Sequence, residues 1–239
     1  MRHKKLFDFE RHSVFFKLFF ICAACAILSS LMGQNDDSAL WRWLHYLTKP
    51  TATLLLLCAI LAAPRLISKT YGFTIAFGLS FAAAGDLFLM LPGDYFLAGL
   101  ICFLITHCIY IYALCRNTKF AENKLVFAIF AVFAVAIIAG LWTSLPNAMK
   151  IPVVIYAIAL AVMAAQAFSR AISMPPETTS RYSASLAAVG GLFFMASDTL
   201  LAFNRFHTPI PLAGFWVLST YYAAQFLFAR STESFAYER

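Results

Sequence analysis

Residues 78–110 read GLSFAAAGDLFLMLPGDYFLAGLICFLITHCIY. The pattern is an apolar helix, a tight turn at Pro92-Gly93 and a second apolar helix. Asp86 lies within the first helix, where insertion scales set a penalty of roughly 2.5–3.5 kcal/mol for a carboxylate. An ionisable residue at such a place is a functional-site hypothesis by default. His107 and Tyr110 follow in the second helix, three residues apart and so on one face. Residues 190–203, GGLFFMASDTLLAF, repeat the feature with Asp198 in the place of Asp86. Gly78 and Gly190 stand eight residues before the acids, and Leu89 and Leu201 stand three after.

Outward from these stretches, 62% of the 239 residues are hydrophobic and 12% charged, with a mean hydropathy of +0.78. Soluble domains run at about half apolar and a quarter charged, so the chain is an integral membrane protein whose first partner is the lipid bilayer. The net charge of +7 is spread over short loops rather than gathered on a soluble face. Basic loops set membrane topology, and a nucleic-acid partner is excluded. The cysteines (Cys22, Cys25, Cys58, Cys102, Cys108, Cys115) fall in apolar runs or at their ends. They read as small, soft packing residues, with neither zinc spacing nor a disulfide framework.

The predicted fold class is all-α, a polytopic bundle of about eight transmembrane helices. Spans are predicted at 14–32, 48–63, 71–91, 95–114, 125–145, 152–168, 184–203 and 211–229, each near the ~20 residues a bilayer needs. A basic cytoplasmic leader over 1–13, one membrane domain over 14–230 and a cytoplasmic tail over 231–239 complete the chain. Trp41, Trp43 and Tyr46 suit an interfacial belt, and Pro50 suits the first turn of the second span. With the N-terminus inside, thirteen Lys and Arg fall on inner segments and three (Arg42, Lys150, Arg205) on outer loops. Both termini are therefore expected in the cytoplasm. Asp86 and Asp198 then lie at matching depth, about three-quarters of the way outward along spans three and seven. Lys49, Asn204 and Arg205 belong to the same side. The two acid helices are four places apart in the order of spans, which implies two parallel four-helix halves.

Two facing acids in a low dielectric resist ionising together, so such a pair shares one proton. One protonated acid beside one carboxylate is the equipment of general acid–base catalysis. His107 and Tyr110 are candidate orienting groups, and Tyr221 and Gln225, four apart in the last span, form one polar stripe. Ser197 is expected to bond back to its own helix. A serine hydrolase is disfavoured because no G-x-S-x-G elbow is present. The acids and His107 lack metal-ligand spacing, so neither metal nor cofactor is assigned.

At these positions the chain resembles the YhhN-type lysoplasmalogenase family. The matching pieces are Lys49-Pro50, Gly85-Asp86-Leu87-Phe88-Leu89, Gly99-Leu100 with Phe103, His107 and Tyr110, residues 197–202 (SDTLLA) with Phe206, and Tyr221 with Gln225. The resemblance implies an ether hydrolase whose substrate is a lysophospholipid. Its vinyl-ether bond would be cleaved to a fatty aldehyde and glycerophosphoethanolamine or glycerophosphocholine. That chemistry needs a proton donor at carbon and an activated water rather than a serine nucleophile. Asp86 and Asp198 are the expected catalytic pair, in either assignment of roles. His107, Tyr110, Ser197, Tyr221 and Gln225 support them, and Lys49, Asn204 and Arg205 are expected near the headgroup. The short loops suit a bacterial inner membrane. A proton-coupled transporter also uses intramembrane acids, but these spans lack the Gly/Pro-broken middles of carriers. An intramembrane aspartyl protease would need G-x-G-D, where this chain has Ala83-Ala84-Gly85-Asp86.

Overall fold

The computed structural model describes residues 2–33 and 38–234, with side chains from residue 12 onward. Its helices are α1 (Arg2–Met32), α2 (Ala39–Leu61), α3 (Lys69–Met90), α4 (Phe96–Leu114), α5 (Lys124–Leu141), α6 (Asn147–Ser173), α7 (Thr179–Phe206) and α8 (Ala213–Ser231). Seven of them, α1 to α7, contain stretches long and apolar enough to cross a membrane. Helix α8 carries Thr220, Tyr221, Tyr222 and Gln225 at its centre and packs among α1, α2, α3 and α7. A helix enclosed by other helices can carry polar groups that a lipid-facing one cannot.

Local signals explain most of the ends. Ser68, Asn123 and Thr178 each accept a backbone N–H from three residues on, which caps α3, α5 and α7. The α2–α3 connection is tied to the end of the chain by an antiparallel bridge between Leu66 and Glu233, with Ile67 N donating to Thr232 O at 2.9 Å.

Several ends differ from the expected spans. The leader is helical from Arg2 and runs into the first span without a break, since it holds neither Pro nor Gly to interrupt it. Helix α2 begins at Ala39, so the aromatic segment of Trp41, Trp43 and Tyr46 is helical and Pro50 lies in the helix interior rather than its first turn. Pro50 has no N–H to offer the Tyr46 carbonyl. The connector expected over 169–183, which holds Pro175 and Pro176, shrinks to residues 174–178, because α6 and α7 both extend into it. Residues 34–37 of the first loop and 235–239 of the tail lie outside the described residues.

Helices adjacent in sequence pack together within each of the two groups of four, α1–α4 and α5–α8. Within the first, α1 meets α2, α2 meets α3 and α3 meets α4; within the second, α5 meets α6, α6 meets α7 and α7 meets α8. The halves join through α4 with α6 and through α8 with α1, α2 and α3. The matched glycines do the same work in each. Gly78 lets the Tyr110 ring of α4 lie against the α3 backbone, where a Cβ would clash. A Cβ on Gly190 of α7 would stand 3.2 Å from both Ala224 O and the Phe228 ring of α8. Each acid-bearing helix is therefore notched to seat the last helix of its own half. Gly78→Ala is expected to cost about 1–3 kcal/mol through overpacking, measured by denaturant unfolding in detergent. Gly78→Ala unfolding at the wild-type midpoint would show that the notch is not needed.

Candidate active site

Asp86 of α3 is 1% exposed, and two other helices converge on it. From α2, the Lys49 ammonium stands 3.7 Å from Oδ1 and Thr53 Oγ1 donates to Oδ2 at 2.7 Å. From α8, the Tyr221 hydroxyl donates to the same Oδ2 at 2.8 Å. Lys49 and Thr53 are four residues apart and so share a face of α2. The network continues outward. Gln225 Nε2 donates to Tyr221 at 3.3 Å, and Tyr110 donates to Gln225 Oε1 at 2.9 Å. Each buried polar group here has a partner, as burial in hydrocarbon demands. Lys49 was expected at the headgroup level, but it is 7% exposed and committed to Asp86. An unpaired ammonium at that depth would be far less favourable than this ion pair.

Asp198 has different company. Tyr156 of α6 donates its hydroxyl to Oδ2 at 2.5 Å. His107 Nε2 of α4 lies 3.0 Å from that hydroxyl and 3.6 Å from Oδ2. Oδ1 makes no hydrogen bond among the described residues. The two acids occupy equivalent positions, each held by the second helix of its own half and the last helix of the other. They do not share a partner. Phe103 and Phe194 stand between the networks: Phe103 packs on Tyr221 with centroids 5.8 Å apart, and Phe194 packs on His107 at 4.8 Å. A single proton shared between facing carboxyls is therefore not the arrangement here.

His107 and Tyr110, one turn apart on α4, divide between the networks, His107 toward Asp198 and Tyr110 toward Asp86. Ser197 reaches across to the Val217 carbonyl of α8 at 3.0 Å instead of bonding within α7. Asn204 accepts from Ile210 N at 2.9 Å and so braces the α7–α8 loop rather than facing a headgroup. Arg205 pairs with Asp94 at 2.8 Å at the mouth of the bundle. Tyr156 and Thr53 were not singled out from sequence. Thr53 was reachable through its spacing from Lys49. Tyr156, a lone phenol in an apolar run, gave no local signal.

Asp198, and not Asp86, lines an apolar cavity among α3, α4, α5, α6 and α7. Tyr156, Phe103, Met195, Ile137 and Phe206 are among its walls. At one end Phe96 and Phe206 also border a second cavity that holds Asp94 and Arg205. On the opposite side Ile137, Met195 and Thr199 are shared with an apolar groove between α5 and α7, lined by Phe130, Phe133 and Leu192. The Asp198 cavity thus adjoins a charged cavity through Phe96 and Phe206 and an apolar groove through Ile137, Met195 and Thr199.

Residues 44–232 match the YhhN family along most of this bundle, including both acids and their partners. The chain belongs to the YhhN family. It is similar to Lysoplasmalogenase TMEM86A of Homo sapiens, 32% identical over 155 residues, which is 64% of this chain and 62% of the relative. The TMEM86A of Bos taurus is 30% identical with the same coverage. Lysoplasmalogenase TMEM86B of Sus scrofa is 29% identical over 207 residues, 87% of this chain and 82% of the relative. The match therefore spans about three-fifths of the human and bovine proteins' length. No solved structure matches this YhhN chain. With seven apolar helices and this family, it is a multi-pass membrane protein.

Proposed function

We propose that this YhhN protein hydrolyses the vinyl-ether bond of lysoplasmalogens, releasing a fatty aldehyde and a glycerophospho-alcohol, with Asp198 as the acid. The observation that carries the reading is the position of Asp198 on the wall of an apolar cavity that shares lining residues with a charged cavity and with an apolar groove. The names of the mammalian relatives support the substrate. The spread of Lys and Arg and the short loops support a bacterial cytoplasmic membrane with both termini inside.

In this scheme the Tyr156 hydroxyl holds Asp198 Oδ2, which directs the Oδ1 proton toward the cavity. His107 Nε2 in turn steadies Tyr156. Asp198 protonates the outer carbon of the vinyl ether, and an oxocarbenium ion forms at the carbon bound to oxygen. The carboxylate left behind stabilises that cation and takes a proton from the water that adds to it. The hemiacetal then collapses: Asp198 gives that proton to the glycerol oxygen as the C–O bond breaks, takes up the hemiacetal hydroxyl proton as the carbonyl forms, and the aldehyde departs. One water is consumed and Asp198 ends protonated, as it began. Asp86, paired with Lys49, keeps α2, α3 and α8 in register and fixes Tyr221 behind Phe103.

The reading is tested with detergent-solubilised protein given alkenyl-lysophosphoethanolamine, with the acyl analogue as control. Aldehyde release from the alkenyl lipid alone is expected; folded protein releasing none would refute the assignment. The hydrocarbon chain would leave the cavity through the portal at Ile137, Met195 and Thr199. Thr199→Trp is expected to lower turnover of a long-chain alkenyl lipid roughly tenfold or more, about the effect of losing one well-made positioning contact. A short-chain analogue that does not reach the portal would be spared. Equal loss on both chain lengths would remove the portal from the scheme.

A further inference from the structure

Asp94 lies in the turn between α3 and α4, and Arg205 lies near the end of α7. Their side chains are 72% and 45% exposed and meet at 2.8 Å. They line a cavity of about 320 Å³ with Phe96, Leu97, Met149 and Phe206. Phe96 and Phe206 are also walls of the Asp198 cavity, so the two spaces adjoin. The Arg205 guanidinium sits 5.5 Å from the centre of the Phe96 ring, which holds it over this opening. Asp94 Oδ1 takes both Arg205 and the Phe96 backbone N–H, the latter at 3.4 Å, while Oδ2 makes no hydrogen bond among the described residues.

Arg205 and Asp198 are seven residues apart on α7, two turns along one face, and so about 10 Å apart along the axis. An extended glycerol between the ether and the phosphate covers a little over half of that span, and the long Arg205 side chain, which in a helix leans back toward the N-terminus and so toward Asp198, covers the rest. With the ether at Asp198, the phosphate therefore reaches Arg205. What lies beyond the phosphate then meets the group next to Arg205, a carboxylate with one open oxygen.

We propose that Asp94 and Arg205 form a headgroup subsite for a zwitterion, with Arg205 on the phosphate and Asp94 reading the ammonium beyond it. The assignment rests on the hydrolase reading above. Opposite charges held side by side complement a phosphate–ammonium pair, whereas an anionic headgroup without an amine would leave Asp94 facing like charge. An exposed ion pair contributes little in water, so the headgroup can open the Asp94–Arg205 contact without a large penalty.

The test compares kcat/KM for alkenyl-lysophosphoethanolamine with that for alkenyl-lysophosphatidate, which has the phosphate but no amine. Asp94→Asn keeps the size of the side chain and an oxygen to accept the Phe96 N–H. It is expected to lower the ethanolamine-to-phosphatidate ratio roughly two- to fivefold, the scale of one surface charge pair. Asp94→Glu should restore most of the ratio. Arg205→Ala should weaken both lipids alike, since both present a phosphate. A merely structural Asp94 would shift both rates together and leave the ratio in place. Turnover of both lipids with an unchanged ratio in Asp94→Asn overturns the subsite alone. Wild-type protein that releases aldehyde from neither lipid overturns the hydrolase reading and this assignment with it.

Discussion

Asp198→Asn will abolish aldehyde release, lowering kcat by about a thousandfold or more while leaving KM for the lipid near its wild-type value. The carboxamide has the shape of the acid and still accepts the Tyr156 hydroxyl at the position of Oδ2. What it lacks is a proton it can give to carbon and a charge to set beside the oxocarbenium ion. General acid–base catalysis by one side chain contributes typically ~10²–10⁴-fold, and Asp198 is used in both directions. Loss of an interaction made only in the transition state lowers kcat and kcat/KM together. Tyr156→Phe removes the group that orients the acid but leaves the acid in place, so its effect should be smaller, about ten- to a hundredfold. Time courses of aldehyde formation at several lipid concentrations check both. Asp198→Asn turning over within tenfold of wild type would exclude this carboxyl as the donor.

The two halves of the site were unequally legible in the sequence. Asp86 and Asp198 stand out because a carboxylate inside an apolar run is costly unless it is paired or functional, and their matched glycines and leucines align the halves. The structure gives that alignment a packing reason, since Gly78 and Gly190 each seat the fourth helix of a half. What the acids touch was less visible. Tyr110 and His107 share a helical face, yet a helix wedged between two networks sends successive turns to different neighbours. Lys49 looked interfacial because Pro50 suggested the start of a helix, but α2 begins eleven positions earlier, at Ala39. Those extra turns carry Lys49 inward to Asp86.

Tyr156 is the most instructive omission. In the first half, α2 brings Thr53, one turn beyond Pro50, to Asp86. In the second, α6 brings Tyr156, one turn beyond Pro152, to Asp198. Carrying the repeat from the acid helices to the helices before them points to this position. The signal lies in the correspondence between halves, not in the local pattern of an aromatic in an apolar helix.

That correspondence also shows how far the halves have diverged, and a second large effect follows from it. Asp86 faces a lysine, whereas Asp198 faces a phenol and an imidazole and opens on a cavity. A buried ion pair with hydrogen-bonded oxygens is stable only as a pair. Removing one partner from such a pair costs about 3–5 kcal/mol, because the other charge is left uncompensated. Lys49→Met and Asp86→Asn should each lower stability on that scale, measured by denaturant unfolding in detergent. The double variant Lys49→Met/Asp86→Asn should recover most of the loss. The coupling from this cycle is expected to exceed ~2 kcal/mol, at the upper end for residues in contact. Activity separates the acids further. If Asp86 only holds α2, α3 and α8 together, the folded double variant keeps aldehyde release within about tenfold of wild type, far from the thousandfold expected of a lost acid. A folded, stable double variant as inactive as Asp198→Asn would instead put both carboxyls in the reaction. The Phe103–Phe194 partition would then have to open during turnover.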